Sequence, residues 1–360
     1  MNRVILTTGG TGGHIFPALA VAEELKERHP GMQLLFVGSC HGPEGELAAK
    51  AGLAFQALPV AGVLGRGVRA LKIFWWLPNS VVRSLAIIRR FKPEVVLGLG
   101  GYAGFPLVLT AWMLRIPTAI HEQNGLPGMT NRLLGKLVDK VMLSLPDEHH
   151  LFNHEKVVLT GNPLRRAVRE LRSGLPTGDS PRRNVLILGG SQGAKALNQA
   201  VLDSLPGFQE ERISLWHQTG AADWERVSRE YSRAGWVQAK VEAFIDNVAE
   251  AYAWADLVVC RAGATTLAEL TVMGKPSVLV PFPYATHNHQ MLNARHLEKA
   301  GAALVLMESY LAQVQLWTVI KDLLDIPGKL RDMRKAAWEL GRPEAGAMVA
   351  RELEKLVHGA

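Results

Sequence analysis

A chain of 360 residues, 48% hydrophobic and 20% charged, is long enough for two domains with separate cores and too apolar to be disordered. Its net charge is a modest +7, and its two cysteines, Cys40 and Cys260, lie far apart and outside any CxxC, which excludes a disulfide scaffold and a zinc or redox motif. No apolar run reaches the ~18 residues that span a bilayer, and the N-terminus enters its first strand without a signal-peptide core, so a reducing cytoplasm is expected.

The first element, residues 4–8, is an aliphatic run read as a buried parallel strand. It ends in Gly9-Gly10-Thr11-Gly12-Gly13 and opens a helical pattern over 17–28. Strand-like runs follow at 33–37, 95–98, 118–121, 141–143 and 157–160. Helical patterns lie between them at 80–91, 105–114 and 129–137. Such alternation predicts a parallel sheet with helices on both faces. Gly161-Asn162-Pro163 breaks the pattern, and the Gly-, Pro- and Ser-rich stretch 173–181 reads as loop. The second half repeats the scheme, with strands at 184–188, 214–218, 257–260, 277–280 and 303–306 and helices at 311–324, 329–340 and 346–357. It also repeats the opening loop, as Gly189-Gly190-Ser191-Gln192-Gly193. The expectation is two doubly wound Rossmann-like α/β domains facing each other across a cleft.

Charge is distributed unevenly. Between Glu46 and Glu94 there is no acidic residue, whereas Lys50, Arg66, Arg69, Lys72, Arg83, Arg89, Arg90 and Lys92 all occur. Within this stretch lies Leu71-Lys72-Ile73-Phe74-Trp75-Trp76-Leu77, which Pro78 is expected to interrupt. Basic side chains mixed with Trp, Phe and Leu suit an anionic membrane surface better than a nucleic-acid groove, and no nucleic-acid motif accompanies them. Leu71, Lys72, Phe74, Trp75 and Trp76 form the expected docking patch, extended by Trp112. The competing reading makes these aromatics core residues, their usual fate.

A dinucleotide site fails on inspection. Gly10-x-Gly12 is followed three residues later by Ile15, and the second strand ends Val37-Gly38-Ser39-Cys40 without a ribose-binding acid. A GxxxxGK(S/T) loop is also lacking. What remains is three glycine turns after strands, at 9–13, 98–104 and 189–193, where a parallel sheet binds phosphates. The segment Cys260-Arg261-Ala262-Gly263-Ala264-Thr265-Thr266-Leu267-Ala268-Glu269 runs from strand through a small-residue turn into a helix. Its amides suit a diphosphate, and Glu269 suits ribose hydroxyls. Glu269 is equally readable as a helix-start carboxylate favoured by the macrodipole. No Asp-x-Asp motif offers a metal site, so neither metal nor cofactor is expected.

These motifs together carry a resemblance. Gly9 to Pro17, Gly100-Gly101-Tyr102-Ala103-Gly104-Phe105-Pro106, His121-Glu122-Gln123-Asn124, Gly161-Asn162-Pro163-Leu164-Arg165, Gly189 to Ala194 and Arg261 to Thr266 resemble the MurG family, in the same order from Val4 to about Gly301. These bacterial transferases add N-acetylglucosamine to the lipid-linked muramyl-pentapeptide precursor of peptidoglycan. The resemblance implies a GT-B fold and inverting transfer from UDP-N-acetylglucosamine to the muramyl 4-hydroxyl of the undecaprenyl-linked acceptor, lipid I to lipid II. It also implies a peripheral protein on the cytoplasmic face of the bacterial plasma membrane. Residues 1–161 are then the acceptor-binding, membrane-associating domain and 162–340 the donor domain, with the helix in 341–360 packing back on the first.

By position, Thr11, Gly12, Gly13 and Asn124 come near the transferred sugar. Arg165, Ser191, Ile245, Ala264, Thr265, Thr266, Leu267, Ala268 and Glu269 hold the nucleotide, and Gln290 reaches the sugar. The chain departs at His289, where some relatives carry a second glutamine. Transfer needs a base, and His14, at the end of the first glycine loop, is the candidate because histidine titrates near neutrality. Glu122 is the runner-up, and the plainer role for His14 is to start the helix or shape its loop. A UDP-N-acetylglucosamine 2-epimerase shares the fold but binds no lipid, and a catalytically silent nucleotide-sugar sensor is the alternative of another class. The basic, Trp-rich segment favours the transferase.

Overall fold

In the computed structural model, the described residues are 1–10, 12–60, 73–172, 183–190, 193–236 and 239–359, with side chains of 73–76 excepted. The aliphatic run Arg3–Thr7 forms β1 and sends alternate side chains to opposite faces of a sheet. Val4 and Leu6 pack with Ile15, Val21 and Leu25, whereas Ile5 packs with Leu107, Val108, Ile87 and Ile88. After β1 come α1 (Gly12–Arg28), β2 (Gln33–Ser39), α2 (Glu44–Lys50), β3 (Ala54–Leu58), α3 (Ile73–Phe91), β4 (Val95–Gly98) and α4 (Gly104–Met113). Then follow β5 (Thr118–Glu122), α5 (Met129–Leu134), β6 (Lys140–Leu143) and β7 (Val157–Leu159). Their order in the sheet is β3-β2-β1-β4-β5-β6-β7, every neighbour parallel.

Past the short α6 (Arg166–Glu170) a second unit repeats the plan. It comprises β8 (Asn184–Leu188), α7 (Lys195–Asp203), α8 (Leu205–Glu210), β9 (Ser214–Gln218), α9 (Trp224–Arg233), β10 (Lys240–Glu242), α10 (Val248–Trp254) and β11 (Leu257–Cys260). These lead to α11 (Ala264–Val272), β12 (Ser277–Leu279), α12 (His289–Lys299), β13 (Ala303–Val305), α13 (Leu316–Asp325) and α14 (Lys329–Leu340). The order β10-β9-β8-β11-β12-β13 is again all parallel. Val185 and Ile187 feed one core layer while Leu186 and Leu188 feed the other. Both units are therefore doubly wound, and the chain is α/β with two Rossmann-like domains.

The first unit takes in Met1–Arg166 and Pro343–Ala360, the second Ala167–Arg342. The last helix, α15 (Ala345–His358), adds Val349, Ala350 and Leu353 to the core layer of Val4 and Leu6. Arg28 near the end of α1 grips Glu354 through both carboxylate oxygens, at 3.0 and 2.9 Å, and His29 adds a third bond at 2.9 Å.

Two helix starts depart from the sequence expectation. The helix expected over 80–91 runs from Ile73 straight through Pro78. Proline there removes only the bond to the carbonyl of Phe74, close to an end where amides lack partners anyway, and Pro17 holds the same sixth position in α1. The helix expected to start at 311 starts at Leu316, after Gln315 in extended conformation. The expected loop at 173–181 lies outside the described residues. No helix among the described residues is long and apolar enough to cross a membrane.

Candidate active site

In each sheet the chain winds one way from the first strand and the other way from the fourth. Loops leaving those strands diverge at their carboxyl ends, where a crevice for ligands opens. In the first unit these are the loops after β1 and β4. Gly10 and Gly101 have φ of +108° and +74°, a region that disfavours side chains. A Cβ on Gly101 would fall 1.9 Å from the carbonyl oxygen of Gly9, so the two glycine loops stack only because that carbon is missing. The Gly10 N–H donates to Oε1 of Glu44 at 2.9 Å, a fully buried carboxylate at the start of α2.

His14 lies in the first turn of α1, half-buried, with its ring packed over Gly100. Its Nδ1 sits 2.7 Å from Oε1 of Gln123. The end of β5 carries the rest of this cluster. His121 is fully buried, bonds the carbonyl of Gly161 through Nε2 at 2.9 Å, and has its pKa pulled down to about 4 by burial. Glu122 is buried and occupied. Its Oε1 accepts from the backbone and side-chain amides of Asn124 at 3.0 and 3.2 Å. Its Oε2 accepts from Gly128 N–H at 3.2 Å and from Asn131 at 2.8 Å. That carboxylate shapes the loop which presents the half-buried Asn124. Gly12 and Gly13 open α1 beside His14, while Thr11 lies outside the described residues. Arg165 is exposed, its guanidinium 4.9 Å from the centre of the Phe16 ring on α1.

In the second unit the loop after β8 is tied down by Gln218, whose Oε1 accepts from Gly190 N–H at 2.9 Å; Ser191 is outside the described residues. After β11 the chain passes through Gly263, the N-cap, which has no side chain of its own to cap the helix, into α11. Its first turn, with Ala264, Thr265 and Thr266 half-buried, presents backbone donors and the positive end of the helix dipole. Leu267 is buried and Ala268 half-buried on the same helix. Glu269 is only 8% exposed, and its Oε2 accepts from the Tyr252 hydroxyl at 2.9 Å, so it does more than complement the dipole. Ile245 is buried next to the exposed Phe244. Gln290 accepts the Phe282 N–H at 2.9 Å, and His289 bonds the Thr286 carbonyl at 2.7 Å. Two consecutive left-handed residues, His287 and Asn288, precede this pair, a strained entry of the kind found at ligand sites.

Of the expected docking patch, Leu71, Lys72 and the side chains of Phe74, Trp75 and Trp76 lie outside the described residues. Trp112 is exposed at the end of α4, followed by the exposed Met113 and Leu114. Cys260 is buried, which pushes its thiol up to about 12. Gln123, Glu44, Gln218 and Tyr252 were not singled out by their residue types. Gln123 stands inside the quoted His-Glu-Gln-Asn motif, but its partner is 109 positions away.

Residues 4–143 match the glycosyltransferase family 28 N-terminal domain, and residues 184–348 match the family's C-terminal domain. A protein of Nitratidesulfovibrio vulgaris (strain DSM 19637 / Miyazaki F), described as UDP-N-acetylglucosamine--N-acetylmuramyl-(pentapeptide) pyrophosphoryl-undecaprenol N-acetylglucosamine transferase, is 51% identical, with 100% of this chain and 98% of that one covered. The crystal structure of Acinetobacter baumannii MurG superposes with a TM-score of 0.80 at 31% identity, covering 99% of this chain and 100% of that one. The UDP-GlcNAc 2-epimerase of Neisseria meningitidis gives a TM-score of 0.67 at 15% identity, over 98% of this chain and 100% of that one, a likeness of fold alone.

Proposed function

The chain belongs to glycosyltransferase family 28, and from that membership we propose that it moves N-acetylglucosamine from UDP-N-acetylglucosamine to the 4-hydroxyl of undecaprenyl-pyrophosphoryl-N-acetylmuramoyl-pentapeptide, forming lipid II for peptidoglycan. The observation that carries this reading is a pairing within one chain. One unit has a glycine loop that leads into His14, and the other has a small-residue turn that leads through α11 to Glu269.

The second unit binds the donor. Backbone donors in the first turn of α11, Ala264 to Thr266, and the helix dipole meet the diphosphate, Leu267 and Ala268 line the nucleotide, and Glu269, oriented by Tyr252, accepts from the ribose hydroxyls. Arg165, Ser191 and Ile245 complete the nucleotide contacts, and Gln290 reaches the sugar. The first unit binds the acceptor, with Thr11, Gly12, Gly13 and Asn124 near the transferred sugar. The muramyl 4-oxygen attacks the anomeric carbon from the face opposite UDP. The bond from that carbon to the diphosphate oxygen breaks, and its electron pair leaves with UDP. The hydroxyl proton passes to Nε2 of His14, so one displacement inverts the anomeric configuration. His14 is preferred to Glu122 because the Glu122 oxygens already accept four hydrogen bonds. The enzyme works on the cytoplasmic face of the plasma membrane, docked through Trp112 and the basic segment before it.

The test is turnover of labelled UDP-N-acetylglucosamine with and without the lipid-linked acceptor. Label should move to lipid only when acceptor is present. Conversion to the 2-epimer, or no turnover, identifies the rival epimerase or sensor. His14→Ala should lose ~10²–10⁴ in rate with little change in donor affinity. Near-native turnover of that variant would remove His14 from the base role.

A further inference from the structure

The His14 imidazole ends a chain of hydrogen bonds whose direction is set at its far end. His121 Nε2 faces the carbonyl oxygen of Gly161, which only accepts, so that nitrogen carries the proton. Burial keeps His121 neutral near pH 7, and its Nδ1 therefore holds a lone pair. Gln123 Nε2 lies 3.0 Å from that Nδ1, 3.2 Å from the carbonyl of Leu99 and 3.3 Å from the carbonyl of His121. All three are acceptors. Only the amide nitrogen satisfies them, and this fixes which end of the side chain points each way. The amide oxygen then faces His14 Nδ1 at 2.7 Å, and because it can only accept, Nδ1 must bear the hydrogen.

We propose that Gln123, locked by His121 and the carbonyl of Leu99, is the positioning residue that holds His14 in the tautomer whose Nε2 is unprotonated and basic. This inference rests on the reading of His14 as the base. With the opposite tautomer the nitrogen that must take the muramyl proton would already carry one. After transfer the same Nδ1–H···O contact stabilises the imidazolium. Gln123 is buried and touches no reacting atom, so it acts through His14 alone. The arrangement is spread over four parts of the chain: the start of α1, the residue after β4, the end of β5 and Gly161 beyond β7.

Nitrogen-15 NMR of the full-length protein with labelled histidine reads the tautomer directly. His14 signals, assigned by their loss in His14→Asn, should show a protonated Nδ1 and a bare Nε2 near pH 7.5. A wild-type His14 protonated on Nε2 would overturn the proposal, and because this reading needs no variant it holds even if Gln123 substitutions fold poorly. Gln123→Leu should shift His14 toward protonated Nε2. It should also lower kcat roughly 10- to 100-fold while KM for UDP-N-acetylglucosamine stays within about twofold. The loss is smaller than for His14→Ala because an unguided imidazole still visits the productive tautomer. If His14→Ala loses turnover and Gln123→Leu keeps native kcat, the base assignment stands and the role of Gln123 falls. If His14→Ala itself keeps native turnover, the base assignment falls first.

Discussion

Two carboxylates, one at the end of a strand and one in the middle of a helix, illustrate how little residue type decides alone. Glu122 and Glu269 are both buried, and both stand next to small or polar residues that suit a ligand site. Glu122 spends its two oxygens on four amide donors from the loop after β5 and from Asn131 on α5, which makes it a shaping residue. Glu269 receives the Tyr252 hydroxyl on one oxygen, which aims the group from α11. Removing a hydrogen-bonded ribose contact costs on the order of 1–3 kcal/mol, hence roughly tenfold or more in affinity. Glu269→Ala should therefore weaken UDP-N-acetylglucosamine binding by about that factor in calorimetry while the circular dichroism spectrum is retained. Unchanged donor affinity would sink the ribose assignment.

Among the elements, those buried on both faces of a sheet were legible in sequence. The runs in β1, β4, β8 and β11 are continuous aliphatic or β-branched stretches because helices cover both sides. Of the four edge strands, β7 and β13 were legible at 157–160 and 303–306, but β3 and β10 were not. β3 is Ala-Phe-Gln-Ala-Leu and β10 only Lys-Val-Glu, each paired on one side, so neither needs a distinctive composition. The glycine loops marked where the site lies, but the pairing of His14 with Gln123 depends on sheet order and on the stacking of two loops. No local pattern encodes that.

The α1–α15 contact belongs to the same scale. Arg28 and His29 hold the Glu354 carboxyl down at about 2, from an ordinary 4.5. A depressed carboxylate contributes stability that is fully present above its unfolded pKa and is lost as pH falls through the folded one. The window is therefore pH 4.5 down to about 2. Discounted for solvent screening at this partly exposed pair, the contribution is about 1 kcal/mol. In urea melts, Glu354→Gln should be less stable than wild type by that amount at pH 6, and the gap should narrow as pH drops below about 4.5. A gap that stays constant to pH 3 would assign the difference to packing of α15.

For the whole molecule, the question is how a chain with no described membrane-spanning helix meets an acceptor anchored in lipid. Its formal charge is +7, and Arg83, Arg89, Arg90 and Lys92 are exposed on or just after α3. α3 packs on α4, whose end exposes Trp112, Met113 and Leu114 at 39%, 62% and 41%. Consecutive large apolar side chains in water cost free energy that an interface would recover, and each nearby basic residue adds about 1 kcal/mol at an anionic surface. Binding to vesicles should accordingly rise with anionic phospholipid, fall as salt is raised, and be weak on zwitterionic lipid. Burying the exposed part of one Trp contributes about 1–2 kcal/mol, so Trp112→Ser should weaken vesicle binding roughly 5- to 30-fold. Turnover on a soluble, short-chain acceptor should be left intact, because Trp112 touches neither glycine loop in the assigned chemistry. Sedimentation of protein with vesicles across a salt series decides the matter. Binding indifferent to both lipid charge and ionic strength would remove the docking face and leave capture of the acceptor to the enzyme's contacts with its headgroup.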